Sequence, residues 1–186
     1  MEHNEYSKDD CLLMNVTQKL DFIHRVHIGE LDIWDEDGNE SFIWDDFHTV
    51  SDELRRHPEW FELENLTQTM KMPDERCFEL SWQEQLSEMI YAAVMYHGNA
   101  GMTHYLQHLQ DVPKEGRFHG CHIPIQWFIR NDESYDMLKE VLLKQNEQTK
   151  QIFLEILESI KPFSSRKKEE KVRYRKRKEA LQEICC

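Results

Sequence analysis

Apolar residues recur at intervals of three and four along most of this sequence, and this spacing places them on one face of an α-helix. One series runs over residues 13–27 and a second over 82–97, and a glycine follows shortly after each. Ser7 and Ser81, which can cap the first turn of a helix, precede the two series. The sequence therefore predicts a mostly α-helical fold.

Residues 31–47 depart from this spacing. Asp37-Gly38 is a favoured two-residue turn, and apolar residues alternate on either side of it, which predicts one short β-hairpin near 31–47. A calcium loop is the alternative, because five oxygen-bearing residues match ligand positions of an EF-hand, although Glu40 stands where the sharp turn needs glycine. These five residues are Asp35, Asp37, Asn39, Ser41 and Asp46.

The same stretch interleaves acidic residues with large aromatic ones, and the triplet Ile-Trp-Asp occurs in it twice. Such a composition is typical of segments that bind protein partners, because the acids keep the aromatic side chains solvated until binding. Trp34, Trp44 and Phe47 are therefore the predicted partner-binding residues.

Residues 1–130 are predicted to form an acidic helical body, and residues 131–161 a long helix that Asn131 can cap. The stretch 144–151 is polar on every side and offers no face for burial. The apolar residues within 138–160 then have two interpretations. Either they pack on the body of the same chain, or they pair the helix with a second copy in a homo-oligomer.

Pro162 is expected to end this helix, because its ring clashes with the preceding turn. Residues 162–186 are predicted to form a mobile basic tail. Residues 161–186 carry ten Lys and Arg and four Asp and Glu, which gives a net charge of +6. Since the whole chain carries −13, residues 1–160 carry −19. The predicted nucleic-acid contacts are Arg166, Lys167, Lys168, Lys171, Arg173, Arg175, Lys176, Arg177 and Lys178.

Three uses of this basic segment are consistent with its sequence. Residues 173–178 are typical of a nuclear localisation signal, and the same charges can neutralise the phosphates of nucleic acid. The ending Cys185-Cys186 behind basic residues resembles the double-cysteine ending of prenylated small GTPases. The chain has no GTPase phosphate loop and no CaaX box, so membrane anchoring through these cysteines is the least favoured use.

Histidines are concentrated in one region, since five of the ten lie within residues 97–122. A helical His-x3-His pair followed by a glycine-containing, extended segment with Cys and His can supply ligands for tetrahedral zinc. No CxxC knuckle accompanies them, so hydrogen-bonded or surface histidines are the alternative. The candidate metal ligands are His104, His108, His119, Cys121 and His122.

The cysteine count and the hydropathy predict an intracellular protein. Five cysteines are an odd number without framework spacing, which favours reduced thiols. The polar N-terminal residues do not resemble a secretory signal, and no apolar run is long enough to span a membrane. Alanine and glycine are scarce, which is consistent with the constrained coding of a compact viral genome and with a viral accessory protein.

These features favour a non-enzymatic nuclear accessory or regulatory protein. Its acidic body would bind protein partners, and its basic tail would direct nuclear import or contact nucleic acid. The alternative is a zinc-dependent hydrolase, or a zinc-stabilised module, centred on residues 104–122. No nucleophile elbow, phosphate loop or dinucleotide motif is present, which favours the non-enzymatic interpretation without excluding an enzyme.

Overall fold

The computed structural model describes residues 7–73, 80–161 and 167–185, with the backbone alone at 80–82. Helices make up 78% of the structure and the described residues contain no sheet, which confirms the mostly helical fold. The α-helices are α1 (Val16–His27), α2 (Phe42–Arg56), α3 (Leu63–Lys71), α4 (Leu80–Gln107), α5 (Ile123–Arg130), α6 (Asp132–Leu143), α7 (Glu147–Ser159) and α8 (Lys168–Cys185).

The first helix begins later than the Ser7 capping pattern predicts. Asn15 and Gln18 form a reciprocal capping box, in which each side chain accepts a hydrogen bond from the backbone amide of the other at 3.0 Å. Asp10–Leu13 form only a 3-10 turn before it. The predicted cap at Ser81 has its side chain outside the described residues.

The predicted hairpin at 31–47 is wrong. A single antiparallel bridge joins Trp34 to Glu40, and the chain from Phe42 onward is helical. The side chain of Asp35 accepts hydrogen bonds from the amides of Asp37 and Asn39, which closes a local turn in place of a strand ladder. Two short strands are marginal in water, whereas α2 buries a helical face beginning at Ile43.

Helix α4 contains a kink at Gly98, whose φ of 58° and ψ of −134° are not helical. The sequence predicted that a helix ends just before this glycine, and the non-helical residue indeed separates two helical runs within α4. Thr103 donates to the carbonyl of Asn99 within the second run.

We expect Gly98→Ala to lower the free energy of unfolding by about 1–2 kcal/mol, because this backbone conformation is sparsely populated by residues with a Cβ. A Cβ at this position would meet no atom within 4 Å, so the cost arises in the backbone alone. Urea unfolding monitored by circular dichroism measures it. Asn99→Ala, a neighbouring exposed substitution, should change the value by less than about 0.5 kcal/mol. Equal stability of both variants would contradict the interpretation.

The long helix predicted over 131–161 is two helices in the structure. α6 ends at Leu143, and Asn146 caps α7 by accepting a hydrogen bond from the amide of Thr149 at 2.8 Å. The break falls in the stretch 144–151, which has no apolar face. Interrupting the helix there exposes no apolar surface that would otherwise be buried. Apolar residues on both helices are buried within the chain's own core: Leu138, Val141, Leu142, Phe153, Ile156, Leu157 and Ile160.

The segment predicted as a mobile tail contains helix α8, which packs against α5, α6 and α7. Tyr174, Leu181 and Cys185 are buried, and their spacing places them on one face of the helix. This apolar face, interrupted by charged residues in the sequence, is the reason the segment docks. Pro162 and Arg166 lie outside the described residues.

One hydrophobic core joins residues of all eight helices. Within the described ranges, no helix combines the length and the apolar character that crossing a bilayer requires.

Candidate functional site

The basic residues of α8 divide into an outward and an inward set. Eight of the nine predicted nucleic-acid contacts are described, and six of them are exposed. Three of the exposed ones, Lys168, Lys171 and Lys176, form no ion pair with any residue in the described part of the chain. The other three exposed residues form surface ion pairs, Lys167 with Glu170, Arg173 with Asp132, and Arg175 with Glu179.

Arg177 points inward and caps the end of α5. Its guanidinium donates to the carbonyls of Ile129 and Arg130, at 2.9 Å and 3.1 Å, and to the carboxylate of Asp132. It also lies 4.5 Å from the ring centre of Tyr135. The last carbonyls of a helix have no partner within the helix, so a cation is favourable there. The hydrogen bond from Arg177 also lowers the pKa of Asp132 below its usual value.

Lys178 has a similar inward role at the end of α7. Its ammonium donates to the carbonyl of Ile160 at 3.3 Å, and burial lowers its pKa. Arg177 and Lys178 are thus helix caps, which the count of basic residues could not distinguish from free charges. The electropositive surface of α8 is therefore smaller than the sequence suggests.

A pocket of about 370 Å³ lies between α4, α5 and the inner edge of α8. We call it the aromatic pocket, and the residues that line it are Tyr91, Trp127, Ile129, Arg130, Asn131, Glu170, Arg173 and Tyr174. Trp127 and Arg130 are three positions apart on α5 and face the same side. No local sequence pattern indicates this pocket, because its aromatic residues come from three separate segments.

A second, shallower depression of about 510 Å³ follows α8 and shares Arg173 with the aromatic pocket. We call it the basic groove, and its lining residues are Lys168, Glu169, Val172, Arg173, Lys176 and Arg177. Four of these six side chains are cationic. A pocket lined by both aromatic and polar residues and a cationic groove therefore adjoin each other at one residue.

The histidines of the predicted zinc site each have a local hydrogen-bond partner or a buried position. His104 Nε2 lies 2.6 Å from Thr67 Oγ1, His108 Nδ1 lies 2.7 Å from Asp111, and His122 Nε2 lies 2.9 Å from Ser159. His104 and His108 do lie together, with ring centres 4.3 Å apart. Burial lowers the pKa of His104 and of His122.

The segment that carries His119, Cys121 and His122 was predicted to be extended. It instead forms a π-helical turn over Phe118–His122. Gly120 allows this turn to approach α3, since a Cβ there would lie 2.6 Å from the carbonyl oxygen of Met70. Cys121 is fully buried, and burial raises its pKa to about 12, which disfavours the thiolate that zinc requires. His119 is buried as well, and burial lowers its pKa.

Among residues 7–73, 80–161 and 167–185, no three His, Cys, Asp or Glu side chains converge in an arrangement that could hold a metal ion. The structure therefore separates His104 and His108 from His119, Cys121 and His122. Of the predicted calcium ligands, Asp35 and Asn39 lie in contact, with Asn39 Nδ2 3.3 Å from the carboxylate of Asp35. Asp46 is instead buried on α2 and accepts a hydrogen bond from the amide of Asp9.

The predicted partner-binding aromatics occupy three different environments. Trp34 is 51% exposed, whereas Phe47 is completely buried in the core. Trp44 is half-buried, with its ring 6.2 Å from Phe47 and 4.2 Å from His48. Phe47 cannot contact a partner directly, so only Trp34 and the exposed edge of Trp44 remain available on this surface.

The chain matches no family model, and neither a curated protein nor a solved structure shows significant similarity to it. Its function has to be inferred from the chemistry of its own surfaces.

Proposed function

We propose that this protein is a non-enzymatic accessory or regulatory protein of the nucleus that contacts nucleic acid through the outer face of α8. The observation that supports this most directly is the group of exposed cations Lys168, Lys171 and Lys176, which have no ion-pair partner among the described residues and lie on a docked helix of a strongly acidic chain. Cations held on a rigid element release counterions from phosphates without a large ordering cost.

The charge distribution restricts where a polyanion can approach. Residues 1–160 carry −19, so this region repels phosphates and leaves α8 as the favourable contact. The same acidic surface favours partners that are basic. We propose that the acidic body, including exposed Trp34, binds such protein partners while α8 contacts nucleic acid.

The alternative zinc-dependent activity receives less support from these residues. His104, His108 and His122 are engaged by neighbouring polar groups, and Cys121 is buried as a neutral thiol. These environments are ordinary for structural histidines and cysteines. They favour the accessory function over a hydrolase.

Lys168→Gln/Lys171→Gln/Lys176→Gln tests the nucleic-acid contact. We expect the triple variant to bind a labelled single-stranded 12-mer more weakly than the natural protein at 50 mM salt. The slope of log affinity against log salt should become less steep by about 2, since each of the three lost phosphate contacts contributes about 0.7. Fluorescence anisotropy titrations between 50 and 200 mM salt measure both quantities.

The matched control is Lys114→Gln/Lys139→Gln/Lys144→Gln, which removes the same charge from exposed positions outside α8. It should alter binding far less than the α8 variant. Identical behaviour of the two triple variants, or no binding by the natural protein at 50 mM salt, would disprove the proposed contact.

A further inference from the structure

We propose that the aromatic pocket is a subsite for one unstacked base of a single-stranded nucleic acid whose backbone follows the basic groove. This inference rests on the proposed function, and it adds a ligand class and a binding mode. The pocket's volume of about 370 Å³ lies within the range of small-ligand sites, about 300–1,000 Å³.

The aromatic side of the pocket is held in place by its neighbours. The ring of Tyr91 stacks on buried Phe128 at 5.1 Å and meets Trp127 edge-on at 5.9 Å, with an interplanar angle of 89°. Its hydroxyl lies 3.5 Å from the hydroxyl of Ser134. Trp127 itself is half-buried, so part of its surface remains accessible from the pocket. Aromatic side chains that are already held in place lose little conformational entropy when a base stacks on them.

The rim of the pocket carries the charge that a nucleotide requires. Arg130 and Arg173 are both exposed and line the pocket from opposite helices, α5 and α8. The one carboxylate in the lining belongs to Glu170, and it forms an ion pair with Lys167 at 3.3 Å. Asp132 also neutralises part of the positive charge at the rim, because it pairs with both Arg173 and Arg177. The cations Arg130, Lys167, Arg173 and Arg177 still outnumber the two carboxylates, so the rim favours an anion next to a planar group.

The two depressions share a residue, which gives the backbone a continuous path. Arg173 lines both, and Lys168 and Lys176 line the basic groove. A strand with its phosphates along these three side chains would bring one base to the mouth of the aromatic pocket. Stacking on aromatic side chains together with a cationic groove is the usual mode of single-strand recognition.

This arrangement distinguishes single strands from duplexes. A base in a duplex is already stacked and paired, and it would have to leave the helix to enter the pocket. Phosphate contacts alone make no such distinction. We therefore expect a preference for single strands that depends on the pocket and not on the lysines.

The test compares an oligothymidine 8-mer with an abasic deoxyribose-phosphate 8-mer, which has the same charge and no bases. We expect the natural protein to bind oligothymidine about tenfold more tightly than the abasic strand, because stacking of one base on an aromatic side chain contributes a factor of about this size. Trp127→Ala should abolish this ratio while it leaves the affinity for the abasic strand unchanged. Arg130→Gln should lower the ratio less, and Trp127→Phe should largely retain it. Anisotropy at 100 mM salt measures all four proteins.

Trp60→Ala, which removes an exposed tryptophan far along the sequence from the pocket, is the control and should leave the ratio unchanged. A ratio close to one in the natural protein, or a ratio unaffected by Trp127→Ala, would overturn the base subsite. In that case, binding of the abasic strand that still depends on Lys168, Lys171 and Lys176 would leave the proposed function intact. Circular dichroism of every variant establishes that it is folded.

Discussion

Replacing Arg177 by methionine is expected to lower the free energy of unfolding by about 2–3 kcal/mol. The substitution leaves the carbonyls of Ile129 and Arg130 without their donor, and hydrogen bonds that involve a charged group contribute about 1.5–3 kcal/mol. The side chain is only 15% exposed, so water replaces these bonds poorly. Urea unfolding measures the loss, and amide hydrogen exchange should locate the increased opening in α8.

Arg175→Met is the control, because it changes the same residue type on the same helix. Arg175 is 70% exposed, and it pairs with Glu179 at 3.8 Å, a kind of surface pair that contributes less than about 1 kcal/mol. Arg177→Lys should recover only part of the stability. Lysine keeps the positive charge, but its ammonium cannot reach two carbonyls and a carboxylate in one plane. If Arg177→Met and Arg175→Met are equally stable, the capping role of Arg177 is refuted.

His27 should make the protein sensitive to acid. Burial on α1, with the ring of Phe47 5.5 Å away, lowers the pKa of His27 to about 3. Between about pH 6.5 and pH 3 the unfolded chain therefore binds a proton that the folded chain does not. Stability then rises with pH across this window and is lost on acidification, at about 1.4 kcal/mol per pH unit.

We expect His27→Leu to remove this dependence, so that the natural protein loses about 2 kcal/mol more than the variant between pH 6.5 and pH 5. Urea unfolding at the two pH values gives the comparison. His48→Leu, a substitution of an exposed histidine on α2, should behave like the natural protein. Parallel losses in the natural protein and the His27 variant would show that His27 does not control the acid response.

Helical periodicity predicted the fold class because it needs only short-range information. The hairpin prediction at 31–47, which rested on a turn dipeptide and alternating apolar residues, failed because Asp35 itself satisfied the nearby amides in a local turn. Helical periodicity failed at the break between α6 and α7. Asn146 was assigned to a helix interior, and only its hydrogen bond to Thr149 identifies it as a cap.

The candidate site was predictable only in part, for a related reason. Composition located the cations of α8, but it could not show that Arg177 and Lys178 complete the ends of two other helices. The aromatic pocket depends on residues such as Tyr91 and Tyr174, which are distant in sequence. Their proximity results from tertiary packing, for which a single sequence has no local signal.

The anchoring of α8 has a consequence for how this surface can diversify. Arg177 binds the main-chain carbonyl of Arg130, a group that every residue type offers, so this hydrogen bond does not depend on the side chain at that position. The Arg130 side chain also borders the aromatic pocket. A substitution at this position can therefore change what the pocket accepts while the hydrogen bond from Arg177 is kept.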